Sequence, residues 1–252
     1  TGIRPGAWRD GNLRLVDLVR ALLELPDLGR LRISSVQPQE LSLPLLSLWS
    51  DRRLCPHFHL ALQSGSGAVL RRMARGYTPE RFLQSLLDIR AAMPWAAVTT
   101  DVIVGFPGET EEEFDESIAF CERAAFARMH VFPFSARPGT PAAAMECSVP
   151  VAVMRARLRL MHELAERSRR AYVAALTGRI VEALWEEETA PGSGEFTGTS
   201  ENYLRLIGRS DVPLHNVLES VVVEGAEGEY VRVRRGHEDT GGSEAKREGP
   251  RR

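Results

Sequence analysis

The stretch Val98–Thr110, VTTDVIVGFPGET, decides how the first part of this chain must fold. Val98, Val102, Ile103 and Val104 form a β-branched apolar run, the composition of a parallel strand covered on both faces. Gly105 and Gly108 follow at once, where the backbone must turn tightly and let a ligand approach the main chain. Thr110 and Glu113 have the spacing of a capping box, so a helix is expected to start there with free N–H groups at its end. Glu111, Glu112 and Glu113 suit the dipole of that first turn. Strand, glycine turn and helix N-terminus together make one α/β unit, and such units bind ligands at the carboxyl ends of their parallel strands.

Working outward, the same unit recurs. Asn12 can cap a helix to about Leu25, whose apolar residues Leu15, Leu18, Val19, Leu22 and Leu23 repeat at helical spacing. Leu31–Val36 reads as a short strand ended by Pro38, and a weaker helix follows near Leu43–Trp49. Phe58–Gln63 is a second strand leading into the turn QSGSG, with Ser66 placed to cap a helix over Ala68–Met73. Thr78 before Pro79 starts a helix to about Ala92. After the central strand and the helix from Glu111 to about Ala124 comes a strand over Met129–Phe134, the turn SARPGTPA, and a long amphipathic helix from Pro150 to about Leu176. The repeated alternation predicts an α/β fold with a parallel sheet, and so few units predict a partial βα barrel.

After Gly178 the pattern changes to short β-rich segments, Ile180–Trp185, Tyr203–Ile207, Val217–Val223 and Tyr230–Val233, separated by glycine-rich turns. The expected organisation is a partial barrel over 1–176, a small all-β barrel over 177–235 and a polar, disordered tail over 236–252.

Composition sets broad bounds. A hydrophobic fraction of 43% in 252 residues supports a sizeable core, and a net charge of −2 names neither an acidic nor a basic partner. No run of about 18 apolar residues occurs, so no membrane span is expected, and no secretory signal is evident. A cytoplasmic location is the expectation. The chain begins at Thr1, without Met, inside sequence that already reads as structured, as a fragment or trimmed piece would. Cys55, Cys121 and Cys147 are widely spaced, without a CxxC or CxxxCxxC cluster, and read as buried thiols.

Polar or glycine-rich groups fall at four successive strand ends: Ser34, Ser35 and Gln37; Gln63, Ser64 and Ser66; the turn Gly105–Glu109; and Ser135, Arg137, Gly139 and Thr140. Arg75 stands one helical turn beyond the second set. Any one of these could simply satisfy local backbone groups. Together they would line the rim on which barrels build active sites. His57 and His59, two apart on a strand, point to one face, either as metal ligands or as internally satisfied histidines. GFPGET lacks the Gly-Lys-Ser/Thr of a phosphate loop, and the arginine-rich segments read as phosphate contacts or as solvated helix faces.

The runs LRISSVQP, CPHFHLALQSGSGAVLRRMARGYTPERF, TTDVIVGFPGETEEEF and RMHVFPFSARPGTPAAAM, in this order, resemble the radical S-adenosylmethionine tRNA methylthiotransferases, and most of all the subgroup acting on threonylcarbamoyl-adenosine. GRIVEALWEEE, SENYLRL and EYVRVRR resemble that family's RNA-binding TRAM domain, an OB-like β-barrel. The resemblance spans Thr1 to Arg235. It implies a partial radical-SAM, TIM-like barrel followed by a TRAM domain. The activity implied is transfer of a methylthio group to carbon 2 of N6-threonylcarbamoyladenosine in tRNA. S-adenosylmethionine and [4Fe–4S] clusters are the implied cofactors, the cluster ligands lying outside this sequence. The implied partners are tRNA and an electron donor such as flavodoxin or ferredoxin, the protein being a monomer with no membrane contact.

Carried onto this chain, the resemblance assigns Ser35 and Gln37 to the methionyl group, and Gln63 and Ser64 to the ribose or methionyl part. It assigns Arg75 to a carboxylate, and the backbone of Val104, Gly105, Pro107 and Gly108 to the adenine. Arg137, Tyr203 and Arg205 would meet RNA. Gln37 departs from an acidic residue, Ala61 from proline and Phe134 from tyrosine in the family pattern. Gly178–Arg235 holds six Arg against eleven Asp or Glu, an unusual balance for an RNA-binding domain. Two other readings remain at this point: a cofactor-free RNA-binding relic, and another βα-barrel enzyme that holds a phosphorylated metabolite at the GFPGE turn.

Overall fold

A computed structural model describes residues 8–33, 35–145 and 148–236. The expectations for Ser34, for Cys147 and for the tail beyond residue 236 lie outside those residues. The chain enters through a small hairpin, β1 (Arg9–Asp10) and β2 (Leu13–Arg14). Helix α1 (Leu15–Leu23) therefore starts later than Asn12, and its first turn is closed by Asp17, which accepts from the Arg14 N–H. Leu31–Val36 runs beside the next strand but touches it only through parallel bridges at Leu31–Leu54 and Val36–Leu60, so it is an extended segment without a full ladder. Helix α2 is short (Leu43–Leu46) and passes into a 3-10 turn (Ser47–Ser50).

Strand β3 (His57–His59) is shorter than the expected Phe58–Gln63, and Thr100 is the cause. Its hydroxyl donates to the Leu60 carbonyl at 2.6 Å and accepts from the Leu62 N–H at 3.0 Å, in place of ladder bonds. Pairing resumes at Gln63, which bridges Val102. Helices α3 (Gly67–Arg72) and α4 (Pro79–Ala92) follow, the latter capped by the Thr78 hydroxyl as its sequence implies. Strand β4 (Ala97–Val104) lies parallel between β3 and β5 (Arg128–Pro133). Between them, α5 (Glu111–Ala124) starts at the Thr110–Glu113 capping box, with both reciprocal bonds formed.

Strand parity sorts the side chains. Phe58, Leu60, Leu62, Val98, Val102, Val104 and Met129 face the helices and form one core with Phe82, Leu86, Ile89 and Phe120. The opposite, concave face carries His57, His59, Thr99, Asp101, His130 and Phe132. Half a barrel exposes that face because no further strands of the described residues close the cylinder over it.

Helix α6 (Val151–Leu176) ties the two parts of the molecule together. Met161 and Leu164 join the first core, while Val173 and Leu176 join a second. That second core fills a closed barrel of β6 (Ile180–Glu188), β7 (Glu195–Ser200), β8 (Arg205–Arg209), β9 (Leu218–Glu227) and β10 (Tyr230–Arg235). Around the barrel the order is β10-β8-β7-β6-β9, antiparallel except for the parallel β8–β10 pair. Five strands form where four segments were expected, β7 being the addition. Trp185, 1% exposed, fills the barrel centre, and Gly198 and Gly208 make room for it. A Cβ on Gly208 would lie 2.6 Å from Trp185 Cη2.

Candidate functional site

The strand ends converge as the sequence implies. Gln63 pairs beside Val102, donating to the Asp101 carbonyl and accepting from the Ile103 N–H. That register sets Gln63 and Ser64 beside the end of β4, where Gly105 turns away. Ser35 and Gln37 flank them, since Val36 bridges Leu60. Ser35 and Gln63 both adopt left-handed backbone, with φ of 60° and 68°. Non-glycine residues rarely do so, at a cost of roughly 1–3 kcal/mol each, and such strain gathers at ligand sites.

The turn after β4 is tied down from inside. Gly105, at φ 80°, donates its N–H to Glu109 Oε2 at 2.9 Å. Arg157 from α6 reaches the same oxygen at 3.0 Å and the Glu109 carbonyl at 3.1 Å. Burial pushes the Glu109 carboxyl up, and the Gly105 N–H and Arg157 oppose it. Pro107 is buried, Gly108 is exposed, and Phe106 packs edge-on against Phe134 at 5.2 Å. Arg72 holds the next turn, donating to both Glu113 oxygens at 2.8 and 2.6 Å and to the Gly108 carbonyl.

Of the anticipated site residues, Ser64 is spoken for within the protein. It is fully buried, hydrogen-bonded to the Ser117 hydroxyl of α5 at 3.0 Å, and accepts from the Ser66 N–H. Ser66 does not cap α3, and its buried hydroxyl has no hydrogen-bond partner. Gln37 contacts Gln39 at 2.6 Å through its side chain. Arg75 keeps a buried Nε without a partner, and its charge helps hold the Asp101 carboxyl low. Arg137 lies in the exposed turn after β5, where its carbonyl receives Thr140.

Tyr203 and Arg205 sit elsewhere, at the amino ends of the parallel strands. Tyr203 stacks on His57 at 4.7 Å, and Arg205 borders a cleft of about 720 Å³ with Arg128, His162, Arg169 and Asn202. Sequence reasoning missed Thr99 and Asp101 as partners of the two histidines. Equal parity in HFH and TTD was the available signal, because alternate residues of adjacent strands share a face.

Residues 9–121 match the Radical SAM superfamily. The chain is 37% identical over 234 residues to threonylcarbamoyladenosine tRNA methylthiotransferase MtaB of Treponema pallidum (strain Nichols), covering 93% of this chain and 45% of that protein. It is 35% identical over 246 residues to MtaB of Bacillus subtilis (strain 168), covering 92% and 54%. It is also 43% identical over 171 residues to tRNA-2-methylthio-N(6)-dimethylallyladenosine synthase of Thermobifida fusca (strain YX), covering 68% and 35%. Coproporphyrinogen III oxidase (HemN) from Escherichia coli, a radical SAM enzyme, shares the fold with a TM-score of 0.50 at 19% identity, over 61% of this chain and 36% of that one.

The parallel half-barrel, with the matched segment within it, is similar to radical S-adenosylmethionine proteins. Over most of its length the chain is similar to tRNA methylthiotransferases, and it spans about half the length of the curated MtaB relatives it matches.

Proteins of this class use S-adenosylmethionine with a [4Fe–4S] cluster. The residues present suit a nucleoside cofactor to this extent: Arg75 Nε and Ser66 Oγ have no partner, and nothing crowds the backbone at Gly108. The cluster does not fit the described cysteines. Cys55 and Cys121 are buried, and burial raises both thiols, the latter to about 12, whereas ligands must be thiolates. Among the described residues, no helix is long and apolar enough to cross a membrane.

Proposed function

We propose that this chain is the downstream part of a tRNA methylthiotransferase that modifies carbon 2 of N6-threonylcarbamoyladenosine in tRNA. Residues 1–176 form its partial radical-SAM barrel, and 177–235 a TRAM-type domain that engages RNA through Tyr203 and Arg205. Arg137 meets RNA at the other end of the barrel. The carrying observation is that Gln63 pairs with Val102 at the end of β4, just before the turn at Gly105–Gly108, while the Arg75 charge acts on Asp101 of the same strand.

When bound, S-adenosylmethionine supplies the methyl group and the source of the 5′-deoxyadenosyl radical. The chain's own part is to bind and orient it. Arg75 presents a forked cation to its carboxylate, a charge-assisted contact. Gln63 holds the methionyl or ribose hydroxyl side, with Ser35 and Gln37 flanking, and Ser64 fixes the turn by bonding Ser117. The backbone of Val104–Gly108, braced by Glu109 and Arg157, forms the wall against the adenine. An electron donor such as flavodoxin or ferredoxin and a monomeric, cytoplasmic enzyme complete this reading.

Calorimetric titration of the 252-residue chain with S-adenosylmethionine tests it. Arg75→Ala is expected to weaken binding roughly ten- to a hundred-fold, the scale of a lost hydrogen bond to a charged group. Arg205→Ala should leave that affinity unchanged and weaken tRNA binding instead. Absence of S-adenosylmethionine binding in the unmodified chain, with salt-dependent tRNA binding retained, would point to an RNA-binding relic.

A further inference from the structure

The concave face of the half-barrel carries a line of hydrogen bonds that runs from the second barrel to the middle of β4. His57 Nε2 lies 3.0 Å from Thr99 Oγ1. The same hydroxyl lies 3.1 Å from His59 Nδ1. His59 Nε2 lies 3.3 Å from Asp101 Oδ2. At the far end, Tyr203 covers the His57 ring, and the Arg32 guanidinium sits 4.7 Å over the Tyr203 ring. Arg32 also donates to the Ser200 and Glu201 carbonyls at 3.0 Å each, which fastens the loop carrying Tyr203.

Proton counting gives this line one direction. Burial tends to raise the Asp101 carboxyl, but the hydrogen bond from His59 and the nearby Arg75 charge hold it low, so it is an ionised acceptor. His59 Nε2 must therefore donate to it. In neutral His59, Nδ1 then carries no proton and must accept. Thr99 has one hydroxyl hydrogen and gives it to His59, so its oxygen accepts from His57 Nε2–H. His57 is left with a bare Nδ1, and that is the atom found buried without a partner. The opposite direction would place an N–H there, a buried donor with nothing to receive it. Burial, with Arg32 and His59 adding to it, lowers His57 to about 3, so that ring has no second proton to contribute.

We infer that His57, Thr99 and Asp101 are positioning residues that hold His59 as its Nε2–H tautomer on the inner face of the barrel, and that Tyr203 of the second barrel seals the chain at its buried end. The inference goes beyond the proposed reaction and does not depend on it. It makes the half-buried Asp101, with its other oxygen, the acceptor offered to an N–H donor of a ligand on that face. His130, Phe132 and Arg75 border the same place, and Arg128 lies next to His130 along β5. Left-handed Tyr203, at φ 65°, is a strained residue in the only loop that touches His57 from the second barrel among the described contacts.

Imidazole nitrogen NMR on the whole chain, without any ligand, reads tautomers directly and is independent of activity. The expected spectrum shows the Nε2–H tautomer for both His57 and His59 near neutral pH. Thr99→Val, which keeps the shape and removes the hydroxyl, should leave His57 in mixed tautomers, while His59 still donates Nε2–H to Asp101. Asp101→Asn, at a half-exposed position, offers a variant that does not disturb the core and should release His59 alone. Tyr203→Leu should broaden or shift the His57 signals while His59 keeps its tautomer through Asp101. An Nδ1–H tautomer at His59 in the unmodified protein overturns the inference. So does a His57 tautomer left unchanged by Thr99→Val, or a His59 tautomer left unchanged by Asp101→Asn.

Discussion

Replacing Arg157 with methionine is expected to destabilise the first domain by ~3–5 kcal/mol, the usual cost of removing one partner from a buried ion pair. Methionine keeps most of the stem volume of arginine, so the loss isolates the charge. The pair is deeply enclosed, with Arg157 and Glu109 side chains 8% and 1% exposed. Arg157 also lies 5.3 Å over the Phe114 ring, a contact methionine retains only as packing. Without Arg157, Glu109 has the Gly105 N–H as its remaining hydrogen bond, and burial then raises its carboxyl further.

The pH dependence follows from that sign. A carboxyl whose folded-state affinity for a proton exceeds its unfolded one contributes stability at low pH and loses it as pH rises through the folded value. The deficit of Arg157→Met should therefore be largest at neutral pH and shrink as pH falls toward the ordinary carboxylate range. Denaturant unfolding at several pH values measures this, and adding Glu109→Gln should recover a large part of the loss. A deficit below about 1 kcal/mol with no pH dependence would show an exposed, weak pair instead. Because the pair braces the turn at Gly105–Glu109, the same variant should bind S-adenosylmethionine less tightly than its stability alone would dictate.

What could be read in the residues depended on how local the physics was. The VTTDVIVGFPGET segment contains its own strand, its own turn glycines and its own capping box, and all three form as written. Convergence of the strand ends was also legible, because parallel strands must present their carboxyl ends together. The second barrel shows the limit. Strand β7, EFTGTS, turns Phe196, Gly198 and Ser200 inward, a set that hydrophobic alternation does not recognise. Gly198 has no side chain because Trp185 takes the space, as a Cβ there would meet Trp185 Cε3 at 3.1 Å and the Leu184 carbonyl at 2.7 Å. Size complementarity between strands is a tertiary fact, invisible in either strand alone. The same holds for Ser64, which reads as a ligand contact until Ser117, on a later helix, is brought against it. His57 and His59 were seen to share a face, yet Thr99 and Asp101, which give them a direction, come from the next strand.

Gly65→Ala is expected to cost ~3 kcal/mol, the upper part of the range for overpacking a filled core. The added Cβ would stand 2.6 Å from Phe120 Cβ and 2.7 Å from the Ser117 backbone Cα. Neither atom is the tip of a flexible side chain, so relief requires α5 or the turn itself to move. Movement breaks the Gly65 N–H bond to Ser117 Oγ at 3.1 Å and strains the Ser64–Ser117 bond. Gly67→Ala is the matched control, since its Cβ would meet Arg71 and Pro79 at ordinary distances of 3.6 Å or more. That change lies in the first turn of α3 and should be neutral or stabilising by up to about 1 kcal/mol. Thermal melts should thus separate two alanines placed two residues apart, with a drop of roughly 6–12 °C for the first alone. Equal melting would mean that α5 does not press on the turn. The contrast matters for the site because Gln63 and Ser64 precede Gly65 directly, so one missing side chain lets the ligand rim and the helix share a wall.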